Sequence, residues 1–332
     1  MTAGSGRPGG GGSDPRPDAT VAVVGICGAE HLERCLAALD EQVGAPDFDV
    51  VVVHDPRLPG MAEVAARHGA RAVANRGQRT PLELASRAVE EARGEAVALT
   101  EDHCVPRPDW LARLCRALRS APSAVGGAVQ TDPDAGSVDW AFYFVDFFRY
   151  ARPARAGPSP SLTVCNVAYR REQLAAVREV WEELFHETAV NDALRERFGP
   201  LRLVPEAEVR MRRRVSLGDA LRERYAFGRL FGCTRLRFTG PARRALYALA
   251  APALPALLLG RMAAKAVGDP DLRSRFVRSL PTLSALVLAW SWGEWLGYLT
   301  GRRAASELVA PEAAGARGGS PETTRREAPA DP

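Results

Sequence analysis

At 332 residues, with 46% hydrophobic and 25% charged side chains, the chain has an ordinary globular composition, long enough for one large domain plus an appendage or for two domains. A formal charge of +4 gives no global argument for nucleic acid, and Lys265 is the only lysine among 44 cations. Six cysteines without CxxC spacing sit mostly inside apolar runs, which argues for reduced thiols in a cytoplasmic compartment and against a disulfide frame or a zinc site. The Gly- and Pro-rich start has no apolar core, so no signal peptide is expected.

In chain order, residues 1–18 are too poor in apolar side chains to offset ordering entropy and read as a disordered tail. A strand–helix rhythm follows. Strands are expected at Thr20 to Ile26, Phe48 to Val53, Ala70 to Ala74 and Glu95 to Thr100. The helices between them are Glu30 to Gln42, with Leu32, Leu36 and Leu39 on one stripe, Met61 to His68, and Pro81 to Ala92. Continuous apolar strands alternating with amphipathic helices predict an α/β fold with a mostly parallel sheet covered on both faces.

Beyond Trp110 the pattern becomes mixed. A helix over Trp110 to Leu118 leads to a strand over Ala124 to Gln130 and the aromatic run Trp140 to Tyr150. Another strand is expected within Leu162 to Tyr169, helices over Glu172 to Leu184 and Thr188 to Phe198, and a short strand over Leu201 to Val204 before Pro205. This half completes one domain spanning 19–209. Residues 210–244 carry eleven arginines against only Asp219 and Glu223, and Leu217, Leu221, Tyr225 and Leu230 or Phe231 form an apolar stripe among them. Two readings stand: a basic amphipathic helix lying on a membrane surface, or a helix packed on the domain with a solvated arginine face. Residues 245–302 then read as a hydrophobic helical hairpin, membrane-associated or buried. Ala245 to Gly260 is short of the ~20 residues a span needs, whereas Leu280 to Leu299 is long enough, with Trp290, Trp292, Trp295 and Tyr298 as an interfacial belt. Residues 303–332 read as a second disordered tail.

The fourth strand runs straight into Glu101-Asp102-His103-Cys104-Val105-Pro106. Strand residues alternate faces, so such an ending delivers at least two ligand groups to one point on the sheet edge where open α/β sheets bind ligands. Glu, Asp and His together can hold a hard divalent cation, which commonly escorts phosphates; the bland alternative is a solvated loop with a helix cap.

The ordered set VAVVGICGAEHLERCLAAL, DVVVVHD, AVANRGQRTPLELASRA and AVALTEDHCVPRPDWL resembles the nucleotide-sugar half of inverting family-2 glycosyltransferases of GT-A fold, over about residues 20–235. The resemblance implies a nucleotide-sugar donor and a divalent cation, Mn²⁺ or Mg²⁺, stabilising the leaving diphosphate. Glu101 and Asp102 would bind the donor, with Asp102 and His103 on the cation. His103 stands where the family has its last Asp and is a softer ligand, suited better to Mn²⁺. Asp55 would accept from the nucleotide base, Arg76 and Arg79 would reach the base or a phosphate, and Asn166 would line the donor sugar. Arg224, in the degenerate Gln-x-x-Arg-Trp match Leu221 to Tyr225, would touch the diphosphate, and the degeneracy argues against long-chain polysaccharide synthesis. Glu187, with Gly199 a dozen residues on, is the first choice for general base, and Asp192 is the fallback because Thr188 replaces the family's usual Asp. Asn191 would orient Glu187 from one turn away. Read structurally, Glu187 is a helix N-terminal carboxylate complementing the dipole.

These features imply transfer of a single sugar, with inversion, to a lipid-linked or membrane-proximal acceptor by a cytoplasmic domain docked on the membrane surface, with no nucleic-acid partner. The competing reading is a non-catalytic GT-A-like module that binds a nucleotide or a partner at the membrane, to which the departures His54, His103 and Thr188 point. A Rossmann dehydrogenase is disfavoured because no GxGxxG follows the first strand.

Overall fold

The computed structural model describes residues 16–76, 80–236 and 239–303; Arg79 and nearly all of both expected tails fall outside them. Strands β1 (Ala19–Gly25), β2 (Phe48–His54), β3 (Arg71–Ala74) and β4 (Ala96–Glu101) alternate with helices α1 (Ala29–Asp40), α2 (Met61–Arg67) and α3 (Pro81–Glu91). The strands run parallel in the order β3-β2-β1-β4. Valine and alanine fill both faces, so β1 is buried along its whole length; α3 packs against it, and α1 buries Leu32, Cys35, Leu36 and Leu39. Thr80 and Glu83 start α3 with reciprocal side-chain caps, and Pro81 occupies its first turn. Register aligns Gly25 with His54, and Val24 with Glu101, so the chemistry-bearing ends of three strands share one sheet edge.

The second half adds β5 (Cys104–Pro106), α4 (Trp110–Ser120), β6 (Val125–Thr131), α5 (Ser137–Phe147), β7 (Gly157–Ser159), β8 (Val167–Arg170), α6 (Arg171–Ala176), α7 (Arg178–Trp181), α8 (Glu187–Phe198) and β9 (Leu201–Met211). It continues the same sheet as β4-β8-β6-β9-β5, with β7 along β9, and β8 antiparallel to β4. Only β8 forms within the expected Leu162 to Tyr169 strand, and the expected helix Glu172 to Leu184 breaks into α6 and α7. The strand expected to stop at Val204 continues through Pro205. Register against β6 slips between Gly127 and Val129, so the proline falls where no ladder N–H is needed.

The C-terminal helices are α9 (Leu217–Arg235), α10 (Pro241–Ala250), a 3₁₀ turn at Ala251–Ala253, α11 (Leu254–Val267) and α12 (Pro270–Thr300). Helix α9 fits the second of the two readings, a helix packed on the domain. It buries Ala220, Arg224, Gly228, Leu230 and Gly232, while Leu217, expected on the apolar stripe, is 44% exposed. Four glycines explain the difference. A Cβ on Gly228 would lie 2.2 Å from the Trp290 carbonyl oxygen, and one on Gly293 would lie 2.1 Å from that of Tyr225. Gly232 and Gly297 leave only 2.5 and 2.7 Å in the same way, so two Gly-x-x-x-Gly faces bring the backbones of α9 and α12 together. Helix α12 also docks on α5, with Phe276 edge-on to Phe144 at 5.5 Å. The run Leu280 to Leu299, expected as the spanning segment, therefore has one face committed to the domain, with Leu283, Leu286 and Val287 fully buried. Instead Pro241–Val267, continuous across the 3₁₀ turn, is long and apolar enough to cross a membrane, with mean hydropathy 1.4 and 11% burial.

Candidate active site

Alternation at the end of β4 separates the three polar residues. Asp102 turns under the β1–α1 turn, where its Oδ2 accepts hydrogen bonds from the backbone N–H groups of Ile26 (2.9 Å), Cys27 (2.7 Å) and Gly28 (3.1 Å). Gly28 adopts φ +116, a conformation side chains disfavour. Three converging amides fix this carboxylate, which is fully buried. Asp102, expected on donor and cation, thus holds the turn beneath the site through Oδ2, while its Oδ1 has no hydrogen-bond partner. Glu101 and His103 face the other way and open into a cavity of about 450 Å³. Their Oε2 and Nε2 atoms lie 3.4 Å apart, and Glu101 Oε2 also accepts from the Cys165 thiol at 3.1 Å.

Glu187 enters the same cavity from the first turn of α8. Its Oε2 accepts from the Val164 N–H at 3.1 Å, so a neighbouring loop aims the carboxylate instead of leaving it only as a dipole complement. Burial pushes Glu187 up to about 7, with Glu101 and Asp146 adding repulsion, and burial pushes Glu101 to about 7 as well. A carboxylate so tuned suits proton abstraction near neutral pH. Asp192, the fallback base, does not share this cavity; its side chain is 49% exposed and pairs with Arg195 at 2.8 Å. Nor does Asn191 orient Glu187, since its Nδ2 donates to the Leu162 carbonyl at 2.8 Å.

A charged wall completes the cavity. Arg213 donates twice to Glu223, at 3.0 and 2.7 Å, and Arg224 donates to the same carboxylate at 3.0 Å and pairs with Asp146. Burial works against ionised Glu223, but the two guanidinium groups outweigh it and hold the acid at about 2. Arg224 stacks on Phe142 at 4.3 Å and Phe227 at 4.9 Å, which fixes its plane. Sequence reading picked out Arg224 but missed Glu223 and Asp146; the available signal was a solitary glutamate inside an arginine run. Farther along, the lining turns apolar with Phe231, Leu254, Leu258 and Trp290, and Arg261 stands at that end.

The remaining expected donor residues sit elsewhere. Asn166 is fully buried; its Nδ2 donates to the Ala128 and Ala207 carbonyls and its Oδ1 accepts from Trp110 Nε1, all at 2.8 Å. It crosslinks β6, β9 and α4 and does not line the cavity, because each polar atom is spent on a buried partner that would otherwise be orphaned. Asp55 follows β2 on the shared edge, outside the cavity lining, with Arg57 folded onto its carboxylate at 2.6 Å. Arg76 follows β3 and is exposed.

The family model for glycosyl transferase family 2 matches residues 26–178, from the β1–α1 turn to the start of α7. Over that stretch, a little under half of its length, the chain is similar to family-2 glycosyltransferases. The sheet order and flanking helices are GT-A-like. Among solved structures, a mannosyltransferase from Pyrobaculum calidifontis, in complex with GDP-Man and Mn²⁺, superposes with a TM-score of 0.53 at 19% identity, covering 85% of this chain and 88% of that one. A mycobacterial protein reaches a TM-score of 0.47 at 14% identity, covering 64% and 73%, too loose a likeness to bear on function. No curated protein matches the chain. The residues facing the cavity fit a divalent cation: a carboxylate and an imidazole sit side by side, and behind the ring Asp102 Oδ1 is buried with no hydrogen-bond partner, 3.7 Å from His103 Nδ1.

Proposed function

We propose that the enzyme transfers one sugar, with inversion, from a nucleotide sugar to a lipid-linked or membrane-proximal acceptor, with Glu187 as the general base. The observation that carries this reading is the single cavity shared by Glu101, His103 and Glu187, which continues along apolar side chains toward α11. The donor diphosphate would lie at the Glu101–His103 end. A divalent cation there, Mn²⁺ or Mg²⁺, would be held by those two side chains and would offset leaving-group charge. Arg213 and Arg224, locked by Glu223, present fixed positive charge to the same group without reorganising. The nucleotide base would extend along the sheet edge toward Asp55 and Arg76, and reaching Asp55 requires Arg57 to swing away.

Glu187, aimed by Val164, would take the proton of the acceptor hydroxyl as its oxygen attacks the anomeric carbon from the face opposite the diphosphate, which inverts that centre. The apolar stretch of the cavity leads to Leu254 and Leu258 on α11, part of the exposed apolar segment Pro241–Val267. An acceptor with a hydrocarbon chain would approach from there, with Arg261 meeting its polar head. Reduced cysteines and this segment support a cytoplasmic domain held at the membrane.

The test is detergent-solubilised full-length protein given radiolabelled sugar nucleotides, GDP-mannose first, with Mn²⁺ or Mg²⁺ and either a membrane lipid extract or soluble acceptors. Label entering the organic phase, with the anomeric configuration reversed by NMR, is expected. Label confined to soluble products would sink the acceptor reading, and retained configuration would sink the role of Glu187.

A further inference from the structure

Cysteine spacing in the sequence argues against a zinc site, yet the fold brings a compact set of ligand-capable side chains together. We propose that Glu101, His103, Cys104 and Cys165 form a zinc site on the inner wall of the catalytic cavity, and that zinc held there by four protein ligands shuts the enzyme off. The inhibitory half rests on Glu101 and His103 serving the donor; the binding half does not.

Ligand atoms of His103, Cys104 and Cys165 all lie within 4.8 Å of one another, and all three residues are buried. Glu101 Oε2 lies beside two of them, 3.4 Å from His103 Nε2 and 3.1 Å from Cys165 Sγ. Zinc bonds of about 2.0–2.3 Å to N, O and S imply tetrahedral edges of roughly 3.3–3.8 Å, so these side chains need only small adjustments. Two thiolates and an imidazole select a softer ion than the oxygen ligands Mg²⁺ prefers. Zinc binding would release both thiol protons to solvent, leaving Cys104 and Cys165 bound as thiolates and freeing Glu101 Oε2 from its bond to the Cys165 thiol.

The outer shell is in place. Asp102 Oδ1, buried and unpartnered, lies 3.7 Å from His103 Nδ1, so a slight closure lets that nitrogen donate to the carboxylate and leaves Nε2 free for metal. A rival set, Cys27, Asp102 and His103, is also compact. There, however, Asp102 is tied by three backbone amides and neither Asp102 nor Cys27 lines the cavity. Glu101, His103 and Cys165 do line it, which provides the entry path. Four protein ligands leave no open position for a diphosphate oxygen, the arrangement of a closed site.

The experiment uses full-length protein stripped by chelator and titrated with Co²⁺ as a spectroscopic stand-in. A near-ultraviolet thiolate-to-cobalt band, tetrahedral visible bands and displacement by one equivalent of Zn²⁺ are expected. Cys104→Ser and Cys165→Ser, each verified as folded by its thermal transition, should each weaken binding by at least roughly tenfold. Absence of the thiolate band, or a band untouched by both substitutions, overturns the site. In parallel, Zn²⁺ should inhibit donor turnover measured with Mn²⁺ saturating, and Cys104→Ser should raise the zinc needed by about the same factor. Zinc bound without inhibition overturns the regulatory half. Cobalt bands present in a protein with no donor turnover under any cation would instead overturn the transfer reading while the zinc site stands.

Discussion

Strands β1 to β4 are held by branched side chains that fill both faces of a sheet, whereas α9 and α12 are held by glycines that take side chains away. In the sheet, stability comes from apolar volume, so loss of volume hurts. In the helix pair it comes from backbone proximity, so gain of volume hurts. The candidate site lies between the two: the sheet edge supplies Glu101 and His103, and the helix pair supplies Arg224 and Trp290.

The sharpest way to break this picture is Glu187→Gln, at the seam. Turnover should fall by roughly 10²–10⁴-fold with an unchanged thermal transition, and wild-type turnover would remove Glu187 from the chemistry. The next two changes have opposite sense. Leu99→Ala, in fully buried β4, should cost about 2–5 kcal/mol in denaturant unfolding, as a cavity. Gly293→Leu should cost about 1–3 kcal/mol or more by overpacking against the Tyr225 backbone, with α9 and α12 becoming protease-sensitive first. A neutral result for the second would mean that the helix pair is not closely packed.

Acidity probes the seam more gently. As the proposed base Glu187 acts as a carboxylate, and burial raises it to about 7, so kcat/KM should fall as pH drops through that value and level off above it. Glu187→Gln should flatten that limb. The smallest effect belongs to Asp192→Asn. That side chain is half-exposed in an ion pair with Arg195, so turnover should hold and stability should move by no more than about 0.5 kcal/mol.

Legibility divides along the same line. The β1–β4 rhythm could be read because period and composition are local properties, and Glu101, His103 and Glu187 could be placed because each sits at an element end. Polarity in a motif does not say which way a side chain points: three amides hold Asp102 Oδ2, and three buried partners take up Asn166. For α9 the sequence leaves two readings open, because a helical stripe weighs hydrophobicity and glycine counts as neither apolar nor polar.

By itself the sequence determined the parallel sheet, its ligand-binding edge and the presence of acids and a histidine there, because strand alternation and apolar periodicity act between near neighbours. Only the tertiary structure decided that Glu223 locks two arginines, that Cys104 meets Cys165 across 61 positions, and that Asp102 lies beneath the site. Those outcomes depend on contacts between segments far apart in the chain, where burial makes each unpaired polar group costly and so fixes its partner.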